Sequence, residues 1–302
     1  MKLFAGIDGG QSSTVAVVGD ERGCIVARGI AGPADEIGAG KTSTRLRDAL
    51  AGALEDACRN AQLAGDTRFA AIVAGISGYD GRVYGRTPEL PSAHVTLLHD
   101  TPIAHAGALS GRSGVVVIAG TGSVVYGRND DGWSRTLGGW GFLFGDEGSA
   151  FGIARDALAM LMRAHDDGDS SLAAETQAAC EFFGTTSLRP LAHAFYKGEV
   201  TRDRLAAFAP AAMRFGAFGS IVERGARRLA ALTKVAIAGG APARVALVGG
   251  VFGDDGFRQR VCAEIRRAHP GVEIVEARYE PAYGALLLAY REFGAAVTEL
   301  QR

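Results

Sequence analysis

The chain has 302 residues, of which 47% are hydrophobic and 22% charged, and its formal net charge at pH 7 is -1. This length is sufficient for two domains, since single domains usually hold roughly 100 to 200 residues. The balanced charge gives no reason to expect a nucleic acid or an anionic membrane as a partner, and the composition is typical of a soluble globular protein with a small-molecule ligand.

Glycine is frequent, with 43 residues, which indicates many positions with positive φ or with close approach of the backbone to a ligand. The four cysteines are scattered without a C-x-x-C pair, so neither a disulfide framework nor a metal knuckle is predicted. The first apolar run is broken at Asp8, which is not typical of a signal peptide, and no apolar stretch is long enough to span a bilayer. A cytoplasmic location is the default expectation.

The first half of the chain predicts a three-strand meander, a helix, two more strands and a second helix. Apolar runs on either side of a glycine-hydroxyl turn indicate the meander, and leucines at four-residue steps predict the first helix. The predicted elements are strands 2–7, 15–18 and 25–27, helix 43–65, strands 70–74 and 95–98, and helix 102–109.

The second half repeats this order around a helical insertion at about 150–240. The predicted elements are strands 115–118, 124–126 and 133–136, helices 153–162, 205–215 and 221–237, strand 244–248, helix 257–265, strand 272–275 and helix 281–290. Segment 166–204 has weak periodicity and predicts surface helices and loops without a functional role.

This repetition predicts a duplicated α/β architecture, with domains at 1–112 and 113–302 and a cleft between the copies. Ligands in such sheets lie at the carboxyl ends of the strands. The last helix is expected to pack back onto the first domain.

Two turns rich in glycine and hydroxyl residues occupy equivalent places in the two meanders. They consist of Gly9, Gly10, Gln11, Ser12 and Ser13 in the first copy, and Gly120, Thr121, Gly122 and Ser123 in the second. Backbone amides in such turns can hold phosphate oxygens, and two turns facing each other would grip a nucleotide tail from both sides. The alternative for each is an ordinary hairpin.

Three aspartates stand where a site would need carboxylates. Asp8 ends a strand beside the first turn, which favours a water-mediated Mg²⁺ contact, although a turn-forming Asp is the alternative. Asp100 ends the last strand of the first half and is a candidate base for an incoming hydroxyl, or a helix N-cap. Asp146 is a candidate ligand for sugar hydroxyls, or a residue that stabilises a helix dipole.

The remaining candidates are glycines and one tryptophan. Trp140, between Gly139 and Gly141, could pack on the apolar face of a sugar, or lie in the core. Gly249 and Gly250 follow a strand and would seat an adenine or form a tight strand-to-helix turn. The six histidines, which include His99 and His105, show no metal-ligand spacing and are interpreted as ordinary.

Several of these stretches together resemble a known family. The stretches are GIDGG at 6–10, AGTGS at 119–123, GGWGFLFGDEGSAFGIA at 138–154 and LVGGVF at 247–252. They are similar to the BadF/BadG/BcrA/BcrD ATPase family, specifically to its N-acetylglucosamine kinase branch, and the pair of GGWG and GDEGS is more specific than a lone glycine motif.

The resemblance implies an actin-like ATPase fold, in which two ribonuclease-H-like domains close on ATP and Mg²⁺ and phosphorylate an amino sugar at its 6-hydroxyl. It implies Asp100 as the base, and Ser12 and Thr121 as phosphate contacts. The sugar site that it implies comprises Gly139, Trp140, Gly141 and Asp146, with Ser77 in a lining loop. A homodimer is expected from the resemblance alone.

Two departures from the family pattern bear on these expectations. The first turn has Gln11 and Ser12 where the family usually continues GGGT with a glycine and a threonine, so the hydroxyl is kept. Asp35 stands where an Asn is common in the sugar loop. A carboxylate there could pair with a free amine, which makes glucosamine an alternative acceptor to N-acetylglucosamine.

Two other functions exist on this fold. An ATPase activator of a radical dehydratase would need cysteines that hold an iron-sulfur cluster at a subunit interface, and the sequence has no suitable pair. A sugar-binding regulator would lack turnover, and the set of Asp8, Asp100 and Asp146 argues against it.

Overall fold

The computed structural model describes residues 1–36 and 40–301, and the chain divides into two compact units. The first unit comprises residues 1–116 together with 276–302, and the second comprises 117–275. The predicted boundary at 112 and 113 lies within a few residues of the first division, and the chain returns to the first unit after Val275.

The first unit is a five-stranded mixed sheet between two layers of helix. Its elements are β1 (Leu3–Gly9), β2 (Thr14–Asp20), β3 (Ile25–Ala31), α1 (Arg45–Asn60), β4 (Ala71–Ile76), β5 (Val95–His99), α2 (Asp100–Ala108) and α10 (Pro281–Glu292). The strand order is β3-β2-β1-β4-β5, with β1 antiparallel to β2 and parallel to β4. The leucines of α1 pack on one face of the sheet with Ile7 and Ile72, while α2 and α10 cover Phe4 and Val73 on the other face.

Helix α10 lies so close to its neighbours that side chains at two glycines would collide with backbone. A Cβ at Gly6 would be 2.1 Å from the backbone nitrogen of Leu286, and one at Gly284 would be 2.0 Å from the carbonyl oxygen of Ile103. These two glycines therefore allow close packing of α10. The high glycine content had instead suggested positive φ and close approach of the backbone to a ligand. The result is that α10 fixes β1 and α2, which carry Asp8 and Asp100.

The second unit contains a second five-stranded sheet, whose first strand begins just before the division at Val116, and most of the helices. Its elements are β6 (Gly114–Ala119), β7 (Ser123–Arg128), β8 (Ser134–Gly138), α3 (Ala150–Asp166), α4 (Ala173–Phe183), α5 (Leu188–Tyr196), α6 (Arg202–Ala206), α7 (Ala209–Ala212), α8 (Gly219–Ala238), β9 (Arg244–Val248), α9 (Asp255–Ala268) and β10 (Glu273–Val275). The strand order β10-β9-β6-β7-β8 repeats that of the first sheet when read from the opposite edge. The predicted α/β fold with duplicated sheets is confirmed.

One predicted helix is wrong. The sequence predicted a single helix over 205–215, but the structure has the two short helices α6 and α7 there. Pro210 lies in the first turn of α7, and proline has no N–H with which a preceding helix could continue. Segment 166–204, which was expected to be helices and loops, contains α4, α5 and the start of α6.

Within the described part of the chain, no single helix combines the length and apolarity needed to cross a membrane. The pair Arg202–Ala212 and Gly216–Ala238 meets those two criteria only jointly, with a bend of 110° at the break.

Candidate active site

The first glycine turn lies beside the other predicted site residues of the first unit. The Gly10 N–H donates to the Ser13 carbonyl at 2.9 Å, which closes the turn between β1 and β2. The carbonyls of Gly9 and Gly10 accept from the backbone N–H groups of Ser77 and Ala34, at 2.9 and 3.0 Å. The turn is thereby tied to the loop that carries Ser77 and to the loop that carries Asp35.

Asp8 lies in β1, directly before this turn, and its carboxyl group is poorly hydrated. Burial, together with the charges of the Asp100 and Glu280 carboxylates, raises the pKa of Asp8 to about 7. An ionised Asp8 would therefore face like charges in a desolvated position. Such a group is stabilised by a proton or by a cation.

Asp100 is the first residue of α2, and the predicted alternative, that it caps this helix, is wrong. The N-cap is His99, whose Nδ1 lies within hydrogen-bond distance of the Thr101 N–H. Nδ1 of His99 is 2.8 Å from Oδ1 of Asp100. Burial alone would raise the pKa of Asp100, but hydrogen bonds from His99, Thr101 and Ser77 hold it below its usual value. Asp100 is therefore ionised at neutral pH.

Asp35 is close to a cation. Its Oδ1 is 3.7 Å from Nη1 of Arg45, and the same guanidinium donates to the Asp35 carbonyl at 3.4 Å. Part of the negative charge that was expected to attract a free amine is compensated by Arg45. Residues 37–39, which follow Glu36, lie outside the described chain.

The second glycine turn is bonded to the start of α3. The carbonyls of Gly120 and Thr121 accept from the N–H groups of Ala150 and Phe151, at 2.9 and 3.2 Å. The Ser123 hydroxyl donates to the Glu147 carbonyl at 2.9 Å. The first N–H groups of α3 are thus satisfied by the turn, and the N-cap is Ser149.

Asp146 is buried against this turn, with only 3% of its side chain exposed. Its Oδ1 accepts from the Ser123 N–H at 3.0 Å, and its Oδ2 is 2.9 Å from Nη2 of Arg202. The Arg202 guanidinium also lies over the rings of Phe142 and Phe151, at 5.4 and 5.7 Å from their centroids. The carboxylate that was predicted to bind sugar hydroxyls thus already has an amide and a guanidinium as partners.

Gly139 and Gly249 border the same turn. The Gly139 N–H donates to the Ser123 carbonyl at 3.2 Å. Gly249 has a φ of +115° and lies so close to the turn that a Cβ there would be 2.3 Å from the Ala119 carbonyl oxygen. Trp140 is 74% exposed, so the alternative of a core tryptophan is wrong. Gly139, Asp146 and Gly249 thus cluster around the second turn.

Three contacting residues were missed by sequence reasoning. His99 was interpreted as ordinary, although its position next to Asp100 was a usable signal. Arg202 lies 56 positions from Asp146, and the neighbouring Asp203 accepts from the Thr121 hydroxyl at 3.4 Å. Both belong to the end of a weakly periodic stretch, and no local pattern could have connected them with the turn.

The acidic groups of the first unit fit Mg²⁺ bound through water. In the ranges 1–36 and 40–301, no group of three or more His, Cys, Asp or Glu side chains is placed to hold a metal ion directly. Mg²⁺ does not require such a group, because it keeps several waters and takes one or two carboxylates plus phosphate oxygens. The desolvated Asp8, which faces Asp100 and Glu280, provides a suitable charge.

The repeated sheet order and the paired glycine turns define the class as the actin-like ATPase fold. The chain belongs to the BadF/BadG/BcrA/BcrD ATPase family, whose model matches residues 5–289. A curated relative from Clostridium acetobutylicum, an N-acetylmuramic acid/N-acetylglucosamine kinase, is 28% identical over 66% of this chain and 68% of its own length. An N-acetyl-D-glucosamine kinase from Dictyostelium discoideum is also 28% identical, over 55% of this chain and 56% of its own length.

A solved structure shows the same fold. It is that of a Chromobacterium violaceum protein assigned as an N-acetylglucosamine kinase, which matches with a TM-score of 0.78 and 24% identity. The match covers 96% of this chain and 99% of that protein.

Proposed function

We propose that this protein is an ATP-dependent amino-sugar kinase that transfers the γ-phosphate of ATP to the 6-hydroxyl of N-acetylglucosamine. The observation that carries the proposal is the acidic centre of the first unit, where an ionised Asp100 stands in the field of a desolvated Asp8 beside a glycine turn. The family match and the kinase relatives support the same conclusion.

Asp100 is the residue to which we assign the hydroxyl proton. As the sugar oxygen bonds to the γ-phosphorus and the bond to the bridging oxygen breaks, the proton passes to the Asp100 carboxylate and ADP leaves. Phosphoryl transfer proceeds through a loose transition state, so catalysis depends mainly on positioning and on neutralising charge. A carboxylate with a low pKa suits this task, because it is ionised before the acceptor arrives.

We assign the phosphates of ATP to the two glycine turns, and the adenine to Gly249 and Gly250. Ser12 and Thr121 provide hydroxyl groups, and Asp8 would hold Mg²⁺ through water. When bound, Mg²⁺ supplies positive charge to the phosphate oxygens. Water must be kept from this centre, because an open site would hydrolyse ATP.

We assign the acceptor to Asp35 and Ser77 of the first unit and to Gly139, Trp140, Gly141 and Asp146 of the second. The ion pair between Asp35 and Arg45 weakens the argument for a free amine, so we favour the N-acetyl sugar over glucosamine. Exposed Trp140 offers an apolar ring surface for one face of the sugar.

N-acetylmuramic acid is a second candidate acceptor. It carries a carboxylate, and Arg202 places a guanidinium beside Asp146 that could recognise such a group. The relative from Clostridium acetobutylicum is named for both sugars.

The experiment is coupled ADP release with ATP and Mg²⁺ against N-acetylglucosamine, N-acetylmuramic acid, glucosamine, glucose and no sugar. We expect turnover that depends on an N-acetyl amino sugar, and no turnover with the 6-deoxy form of that sugar. Hydrolysis of ATP at the same rate with and without sugar would contradict the kinase proposal. A preference for glucosamine would restore the charge argument at Asp35.

A further inference from the structure

His99 makes a short contact with the carboxylate that we assign as the base. Its Nδ1 is 2.8 Å from Oδ1 of Asp100 and 2.7 Å from the Thr101 hydroxyl. An ionised carboxylate can only accept hydrogen bonds, so Nδ1 carries the proton in the contact with Asp100. The Thr101 hydroxyl also donates to Oδ1, at 3.3 Å, so that two donors hold the same oxygen.

The other carboxylates near Asp100 oppose its ionisation. Asp8 and Glu280 belong to the same acidic centre, and Asp100 itself is partly buried. A donor from the imidazole offsets this repulsion at the oxygen that it contacts. The hydrogen bond also raises the pKa of His99, although partial burial opposes it.

We propose that His99 is a positioning residue for Asp100, which fixes Oδ1 and leaves Oδ2 directed to the acceptor hydroxyl. This inference rests on the proposed function, because it requires Asp100 to be the base. His99 does not contact the substrate in this account. Its effect on the reaction passes entirely through the orientation of the Asp100 carboxylate.

The competing explanation is that His99 serves only as the N-cap of α2, in the other tautomer, in which Nδ1 carries no proton and accepts from the Thr101 N–H at 3.2 Å. Loss of an N-cap destabilises the helix and the folded protein. A residue with that role alone would change the melting temperature and leave the turnover of the folded enzyme as it is.

Three variants at this position separate the two roles. His99→Ala removes both the cap and the donor, His99→Ser restores a capping hydroxyl, and His99→Asn restores the cap together with a side-chain N–H that can donate to Asp100. We expect kcat to fall roughly 10- to 100-fold in the Ala and Ser variants, as for other residues that orient a reacting group. The KM values for sugar and ATP should change little, and His99→Asn should recover most of kcat.

The matched control is His193→Ala, because His193 is an exposed histidine of α5 outside both site clusters. It should leave kcat and KM unchanged. Melting temperatures measured for all variants report the capping role, and we expect His99→Ser to regain stability without regaining turnover.

Wild-type kcat in His99→Ala and His99→Ser, with a loss of stability in the Ala variant alone, would overturn the proposal and leave the capping role. Asp100→Asn is measured in parallel. If that variant turns over normally, Asp100 is not the base, and the assignment on which this inference rests fails. If Asp100→Asn is inactive while the His99 variants are normal, only the inference about His99 fails.

Discussion

The two units repeat a sheet order and a glycine turn, but the carboxylates beside the two turns have opposite surroundings. Asp8 in the first unit faces Asp100 and Glu280, and burial raises its pKa to about 7. Asp146 in the second unit is paired with the guanidinium of Arg202 and with the N–H of Ser123. The first carboxylate requires a proton or a cation from outside, whereas the second is compensated by its own unit.

The difference shows that a repeated motif does not imply a repeated role. Groups whose charge is not compensated in the folded protein are typical of catalytic centres, where ligands or metal ions supply the missing charge. A compensated and buried carboxylate is suited to holding a turn and presenting fixed groups to a ligand. We therefore place the chemistry in the first unit and assign Asp146 to binding.

Asp8→Asn should cause the largest change in this comparison. We expect Mg²⁺-dependent turnover to fall on the order of 10²-fold or more, as is usual when a charge-stabilising group is removed. The same substitution should stabilise the metal-free protein. The folded state keeps a proton on Asp8 between the ordinary pKa of 3.8 and about 7, so wild-type stability falls as pH rises through that window.

We expect the free energy of unfolding of Asp8→Asn to exceed that of the wild type by roughly 1 to 3 kcal/mol at pH 8, a range reduced to allow for partial exposure. Below pH 4 we expect no difference. Urea unfolding at both pH values, with and without Mg²⁺, measures this. Mg²⁺ should stabilise the wild type and have little effect on the variant. A variant less stable than the wild type at pH 8 would show that the charge of Asp8 is compensated in the protein.

Asp146→Asn should lower the stability of the protein, whereas Asp8→Asn should raise it. It leaves the guanidinium of Arg202 without its carboxylate, and breaking a largely buried pair costs about 1 to 3 kcal/mol after allowance for the exposure of Arg202. The KM for the sugar should rise, whereas kcat should fall less than in Asp8→Asn. Stability equal to the wild type would mean that the ion pair contributes nothing to the second unit.

Gln11→Gly should have the smallest effect. Gln11 is exposed at the first turn, where the family usually has glycine, and a surface substitution typically changes stability by less than about 0.5 kcal/mol. The KM for ATP should change by no more than a few-fold. A large rise in that KM would indicate that the Gln11 side chain itself contacts the nucleotide.

The sequence predicted most of the fold because the elements have strong local patterns. Leu46, Leu50 and Leu54 recur at four-residue steps, and in the structure they form the face of α1 that packs on the first sheet. The strands are short apolar runs that end at glycine turns, and both meanders lie where the sequence placed them. The break between α6 and α7 was missed, since the pattern of apolar residues continues through it and only Pro210 marks it.

Site residues could be predicted where a residue type suited to the chemistry stands in a local sequence pattern that marks the end of a strand. Asp8 lies at the end of a strand, Asp100 and the glycine turns come where strands end, and the structure brings those of the first unit together. The partners that set the charge of each carboxylate could not be predicted, because Arg202 approaches Asp146 from 56 residues away. The compensation of Asp35 by Arg45 depends likewise on how the loop folds back onto α1.

The most direct test of the account is product analysis of the wild type and Asp100→Asn with N-acetylglucosamine, ATP and Mg²⁺, read by phosphorus NMR. We expect the wild type to form the sugar 6-phosphate together with ADP. We expect the variant to bind the sugar and to form product roughly 10² to 10⁴ times more slowly, the usual contribution of a positioned base. Equal rates of 6-phosphate formation by the two proteins, or phosphate released only to water, would contradict it.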